Sequence, residues 1–424
     1  MKGIAKYKRS AMSIAIIVGC IFFSAKCVNR EEQDKAVADH KNTGATQFTG
    51  SSKCAGCHKN IYESHINTAH FHTSEIASEK SIKGSFDSGR NTFSFSNGGM
   101  IKMEKRAEGF YQLAYVNGVE RLRQRFDIVF GSGTKGQSYA TWAGNKLLQL
   151  PITYFTSEHQ WCNSPGNPNK IAINRLVTSR CLECHSTFVQ KISGAEMGPD
   201  EFDKSTMVLG VDCEKCHGPA AKHVAFQTEN PNEAKARYII NPSTFTRLQS
   251  LDMCTLCHGG RLQKSKPSFE FTAGDKLSDY FHTDTLAKDP DAIDVHGNQY
   301  GLLAASKCFR QSQTLTCMSC HNPHANEKGN VVLFSQRCMN CHNDKHANAV
   351  ICTLTATLGT AINSQCTNCH MPEQASRAIA VLLQGRDTLT PAFMHTHLIK
   401  SYPAETQKIL ATIKAPARTA NLRK

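Results

Sequence analysis

The chain is expected to adopt a mainly α and irregular fold whose core is filled by covalently attached groups, with a small antiparallel β-subdomain inserted between the first and second attachment sites. Three observations predict this. The element Cys-x-x-Cys-His recurs seven times along the 424 residues. Six copies crowd between Cys181 and His370, where Gly, Pro and Asn are frequent and no long helical period survives. The long interval from His58 to Cys181 carries no copy and alternates apolar with polar residues, as a half-buried sheet does.

The copies are Cys54/Cys57/His58, Cys181/Cys184/His185, Cys213/Cys216/His217, Cys254/Cys257/His258, Cys317/Cys320/His321, Cys338/Cys341/His342 and Cys366/Cys369/His370. Thiols three positions apart can bond the two vinyl groups of one porphyrin, and the adjacent histidine then lies under the iron as proximal ligand. Zinc sites also use Cys-x-x-Cys, but they need a second pair and no histidine at the next position. Thioredoxin-like redox pairs come singly. The element therefore reads as covalent haem c, seven times. Of 19 cysteines, five remain: Cys20, Cys27, Cys162, Cys308 and Cys352. The last three leave one disulfide open, with no assignable pairing.

Each region follows in order. Residues 1–27 read as a signal peptide, with Lys2, Lys6, Lys8 and Arg9 before the apolar run Ala11–Ala25, a run too short for a membrane span. Cys20 and Cys27 are candidates for acylation, so a lipid-anchored and a soluble periplasmic form both stay open. Residues 28–50 are polar and aperiodic, a tether. The first haem-binding segment occupies 51–84, with a short helix expected over Tyr62–Ile76. The β insert spans 85–160, with strands expected at 92–95, 100–104, 110–116, 124–130 and 147–155, and turns at Asn97-Gly98-Gly99, Glu108-Gly109, Asn117-Gly118 and Ala143-Gly144-Asn145. Gly131 to Gly136 matches G-x-G-x-x-G, but a strand pattern rather than a helix follows, so no dinucleotide fold is implied. Residues 161–402 form the six-haem domain, and 403–424 a basic C-terminal tail with a short amphipathic helix. In the six-haem domain porphyrins must supply much of the buried apolar area, and the apoprotein should be largely unfolded there.

The net charge of +14 does not indicate a nucleic-acid partner. Loss of the signal leaves roughly +9 or +10, and fourteen propionates set against seven ferric centres bring the oxidised protein to about +2 or +3.

With seven histidines proximal, twelve of the 19 are left to complete the axial pairs. A haem for electron transfer takes a second strong ligand, whereas a catalytic haem leaves that position open. His70, His223, His324 and His395 or His397 are the leading candidates. His65 and His72 sit on the expected first helix, and His346 trails the sixth site. His159, His282 and His296 are weaker, and His40 lies in the tether. Met371 is too close to His370 to reach the opposite face of the same haem. No catalytic residue is assigned.

The contexts of these sites carry a resemblance. Ser52-Lys53-Cys54-Ala55-Gly56-Cys57-His58 with Tyr62, His65 and Thr68-Ala69-His70 resembles the opening of the cytochrome c-554/c-prime family, within the wider hydroxylamine oxidoreductase and multihaem nitrite reductase group. Cys213-Glu-Lys-Cys-His-Gly-Pro with His223, Cys317-Met-Ser-Cys-His-Asn-Pro-His324 and Cys366-Thr-Asn-Cys-His-Met-Pro are similar to the same group. The resemblance implies a multihaem cytochrome c fold with His223 and His324 as distal ligands. The chain departs from these relatives in having seven sites and a β insert. It lacks a Cys-x-x-Cys-Lys, and no tyrosine is matched to the one that cross-links the haem in hydroxylamine oxidoreductase; Tyr154, Tyr300 and Tyr402 read as core tyrosines. The resulting expectation is an exported relay of closely packed, mostly bis-histidine haems, working between unidentified donor and acceptor proteins. The alternative is an oxidoreductase acting on a small nitrogen or sulfur compound, of the nitrite, hydroxylamine or tetrathionate class, at one open haem.

Overall fold

The computed structural model describes residues 47–192, 198–282, 289–343 and 350–414. The segments expected as signal peptide and tether, up to residue 46 and with them Cys20, Cys27 and His40, as well as His346 and the last ten residues, lie outside them. The dominant feature is a nine-stranded antiparallel sheet. Its main path runs Ser74–Ile76, Ile128–Phe130, Gly136–Ala143, Ile152–Phe155, Gln160–Asn163, Glu373–Leu383 and Leu389–His395. Lys146–Gln149 and Arg175–Leu176 branch from Gly136–Ala143. A four-stranded meander (Thr92–Ser94, Gly99–Arg106, Gly109–Val116, Val119–Arg125) covers one side.

The expectation of a mainly α fold with sheet confined to a small insert is corrected by this topology. Cys162 pairs with Leu383 and Asn163 with Leu382, which brings a hairpin from beyond the seventh motif onto the sheet. A further hairpin pairs Ser186–Lys191 with Phe202–Leu209 just after the second motif. The segment Glu373–Leu383 is rich in Ala, Glu, Gln, Arg and Leu, all good helix formers. It is a strand because Val381 and Leu383 bury against Phe155 and Cys162, a tertiary gain that outweighs local propensity.

Local chemistry sets the boundaries. Asn117 and Gly118 both have positive φ (52° and 75°), as a two-residue hairpin loop requires, and they join Val116 to its partner Val119. The single strand expected over 147–155 is two strands, interrupted at Leu150-Pro151, where proline offers no N–H to the ladder. The one expected over 124–130 is likewise broken at Phe126-Asp127. The helix expected over 62–76 spans only Lys59–His65, and the chain is already a strand by Ser74.

Apolar packing is uneven. The largest cluster joins both sheets through Ile101, Met103, Tyr139, Leu150, Ile152 and Trp161. Phe126, Tyr139 and Tyr154 ring Trp161 at 5.5–6.1 Å between centroids. The indole Nε1 donates to the Ser85 carbonyl at 2.7 Å. Gly84 lies beneath this ring, where an added Cβ would be 2.1 Å from Trp161. Gly84→Ala is expected to cost about 1–3 kcal/mol by overpacking, read as a lowered urea midpoint. In contrast, between 307 and 372 the described hydrophobic side chains that are buried are Phe309, Ile362 and Cys369.

Candidate functional site

A single helical turn brings residues i, i+3 and i+4 to one side, so Cys-x-x-Cys-His presents both thiols and the imidazole together. Cys213–His217 and Cys366–His370 are such turns, while Ser179–His185 and Arg247–His258 end on their motifs. In the first, fifth and sixth motifs the histidine N–H donates to the first cysteine's carbonyl at 2.8–3.0 Å.

The attachment thiols differ in how far the polypeptide covers them. Cys57, Cys181 and Cys341 are exposed, whereas Cys369 is buried and the other described motif cysteines are half-buried. The reason is plainest at Cys341. It follows the end of the helix Val331–Met339, and its N–H donates to the Cys338 carbonyl at 3.1 Å, so the backbone turn of the motif is in place. That turn lies in the stretch with few buried apolar side chains, so the polypeptide alone does not cover the thiol.

Five of the seven motif imidazoles are held in a consistent way. Nδ1 contacts a backbone carbonyl in His217 (Ile240, 2.9 Å), His342 (Val350, 3.0 Å) and His370 (Lys400, 3.0 Å). His258 Nδ1 faces Gln299 Oε1 at 3.2 Å, and His185 Nδ1 faces the Thr73 carbonyl at 3.4 Å. Such contacts fix the tautomer and leave Nε2 to ligate a metal. Two of the candidate distal residues share this arrangement: His223 Nδ1 faces the Arg237 carbonyl at 2.8 Å and His395 Nδ1 that of Met371 at 2.6 Å.

Distant histidines meet in pairs. His70 faces His258 with ring centroids 6.2 Å apart, His324 faces His217 at 6.1 Å, and His397 faces His321 at 6.1 Å. Imidazole–metal bonds run about 2.0–2.1 Å and the ring centre lies roughly 1.1 Å behind the nitrogen, so two rings ligating one ion from opposite sides have centroids roughly 6.3 Å apart. The observed spacings are of that size, as is the 6.3 Å between His65 and His324. Burial pushes His70 and His397 down to about 4, so both are neutral at pH 7, the form that binds metal. Nδ1 of His397 is buried without a hydrogen-bond partner.

The other candidates are spread around these pairs. His296 stands near His185 and His258, and burial lowers its pKa. His72 Nδ1 lies 3.0 Å from Glu75, His159 occupies a left-handed turn, and His282 is exposed. His65 is buried, with neither ring nitrogen hydrogen-bonded. Its Nε2 is 3.8 Å from Asp212 Oδ1, too long for a hydrogen bond, and its ring is 6.3 Å from that of His324. Among the described residues no disulfide joins Cys162, Cys308 and Cys352. Cys162 is a core thiol that burial pushes well up, and its Sγ donates to the Thr153 carbonyl at 3.4 Å.

Motifs far apart in sequence touch through their cysteines. Cys54 meets Cys213, Cys184 meets Cys257, Cys254 meets Cys317, and Cys338 meets Cys366. Polar clamps hold these junctions, and sequence reasoning missed every one. Glu214, inside the third motif and buried, accepts from the backbone N–H groups of Thr49 (3.0 Å), Gly50 (2.8 Å) and Ala220 (2.8 Å). Arg180 bonds Glu183 at 2.9 Å and reaches the Leu256 carbonyl at 2.8 Å. Arg247 donates to the Leu315 carbonyl at 3.0 Å, and Ser335 Oγ accepts from Cys366 N at 3.1 Å. Arg337 donates to the Cys320 carbonyl at 2.6 Å and to Glu327 at 2.7 Å.

The Arg337 guanidinium holds the Glu327 carboxyl down at about 2, below its ordinary value near 4.5. A depressed carboxylate stabilises the fold fully above its unfolded pKa and loses that contribution as pH falls through the folded one. The gap in urea midpoint between the native protein and Glu327→Gln should therefore be full above pH 4.5 and close as pH approaches 2.

Repeated thiol–imidazole turns, facing imidazoles and clamped junctions place the chain in the class of multihaem c-type cytochromes, whose cofactor is covalent haem c. Residues 137–218, which hold the second and third motifs, match the family described as cytochrome c554 and c-prime. The multihaem cytochrome MtrA of Shewanella baltica (strain OS185) is 27% identical over 180 residues, 39% of this chain and 52% of that protein. The chain thus spans about half the length of this curated relative. The crystal structure of the outer cell wall cytochrome OcwA superposes with a TM-score of 0.51 at 15% identity, covering 85% of this chain and 81% of that one, a likeness of fold alone. Among the described residues no helix is long and apolar enough to cross a membrane, and no group of three or more His, Cys, Asp or Glu side chains is placed to hold a metal ion.

Proposed function

We propose that the protein is an exported heptahaem cytochrome that relays electrons through closely placed, mostly bis-histidine haems. The imidazole pairs at 6.1–6.2 Å carry this reading. Haem c supplies reversible one-electron chemistry when bound. The chain's own residues do the rest. The fourteen motif cysteines, the exposed Cys57, Cys181 and Cys341 among them, fasten the groups at fixed points. His58, His185, His217, His258, His321, His342 and His370 provide proximal imidazoles. His70, His324 and His397 complete the fourth, third and fifth sites, and His223 and His395, anchored through Nδ1, are held in the way of ligands. Two strong axial ligands keep the site's geometry the same in both oxidation states, which suits transfer better than substrate binding. The cysteine contacts and their clamps bring the first site to the third, the second to the fourth, the fourth to the fifth and the sixth to the seventh.

Export and a place in the cell envelope follow from the signal-like N-terminus and accord with the naming of OcwA as an outer cell wall cytochrome. A lipid anchor would attach at Cys20 or Cys27. Redox proteins would serve as donor and acceptor, with no nucleic acid involved. Intact-mass measurement of the purified protein should give seven haems. Electron paramagnetic resonance of the oxidised form should show low-spin components unmoved by nitrite, hydroxylamine or sulfite. A high-spin component that shifts on adding one of these would replace the relay with an enzyme.

A further inference from the structure

The loop after the fifth motif presents His324 to the third site, and its anchorage is unusually complete for an exposed segment. Glu327 lies three residues past His324, and its Oε2 accepts from Asn322 N at 3.0 Å. Asn322 Oδ1 in turn accepts from His324 N at 3.0 Å. Arg337, one residue before Cys338, grips both Glu327 oxygens and donates to the Cys320 carbonyl at 2.6 Å. Its guanidinium lies 5.6 Å from the Phe334 ring centroid, and that ring lies 5.2 Å from His321. Both charged side chains are largely screened from solvent, at 20% and 13% exposure. A two-pronged arginine–carboxylate pair has fixed geometry, which sets it apart from a mobile surface ion pair.

We propose that the Glu327–Arg337 pair is the positioning device that holds His324 against the third site while locking the fifth and sixth motifs together. This rests on the reading of His324 as an axial ligand. The bonds run in series from Arg337 to Glu327, then Asn322, then His324. Arg337 joins this series to Cys320 and, along its helix, to Cys338. Loss of the carboxylate frees the backbone of Asn322 and His324, and the imidazole leaves its place opposite His217.

The test compares Glu327→Ala, Arg337→Lys and His324→Ala as mature holoproteins, by electron paramagnetic resonance of the oxidised state and by haem content. His324→Ala should turn one low-spin component into a high-spin one. Glu327→Ala should lose the same component with the others unmoved and haem content unchanged. Arg337→Lys, which keeps the charge but not the fork, should lose part of that component. It decides the question by the same readout if Glu327→Ala does not mature. A uniform loss of all components would mean the pair merely supports the fold, and overturns the proposal. So would full retention of the component in both clamp variants while His324→Ala loses it. If His324→Ala itself loses nothing, the ligand assignment fails and the proposal with it.

Discussion

Alanine in place of His397 is expected to convert one low-spin haem, that of the fifth site, to a high-spin form open to added ligands. Nδ1 of this imidazole is buried, the ring is neutral, and its centroid lies 6.1 Å from that of His321. Its backbone is well held: Ser306 Oγ donates to the His397 carbonyl at 3.0 Å and accepts from Ile399 N at 2.8 Å. The segment should therefore stay in place when the ring is removed. The gap left is the size and shape of an imidazole. Free imidazole should restore the low-spin signal on titration, whereas a variant that had simply unfolded locally would not be rescued. His70→Ala should act in the same way at the fourth site. Low-spin spectra unchanged in both variants would sink the axial pairing.

The second large effect concerns the protein made without haem. Among the described residues between 307 and 372 few apolar side chains are buried, while the sheet region encloses the large cluster around Ile101, Tyr139 and Trp161. Apolar burial contributes roughly 25 cal/mol per Å² and has to offset about 1–2 kcal/mol of backbone entropy per ordered residue. Where side chains do not supply the area, attached groups must. Hydrogen exchange of the haem-free protein is expected to show protection over the strands from Thr92 to Asn163 and almost none from Lys307 to His370. Equal protection in both regions would refute the dependence.

Much of the site was legible in the sequence. Each attachment element is local, since a single turn of helix relates its three reactive side chains, and so its chemistry is spelled out in five consecutive positions. The hairpin at Asn117-Gly118 was legible for the same reason: two adjacent residues of the right type decide the turn. The segment Glu373–Leu383 was not, because its residues favour helix and only the partnership with Gln160–Asn163 makes it a strand. Nor was the exposure of Cys341 beside the half-buried Cys338, since the motif's spacing is silent on which thiol the rest of the chain covers. The clamps were hidden as well. Glu214 and Glu183 occupy the variable positions of their motifs, where nothing local distinguishes a buried anchor from a solvated charge.

The sequence by itself determined the number of attachment elements and which imidazoles adjoin their paired thiols, and so pointed to the class of cofactor. Only the tertiary structure decided that His70 faces His258, His324 faces His217 and His397 faces His321, that Cys54 meets Cys213, and that Arg337 joins the fifth motif to the sixth. The reason is physical. Proximal ligation follows from covalent neighbourhood, whereas distal ligation depends on where separate loops return. In a region whose interior is built for attached groups, the apolar periodicity that would report those returns is missing from the chain.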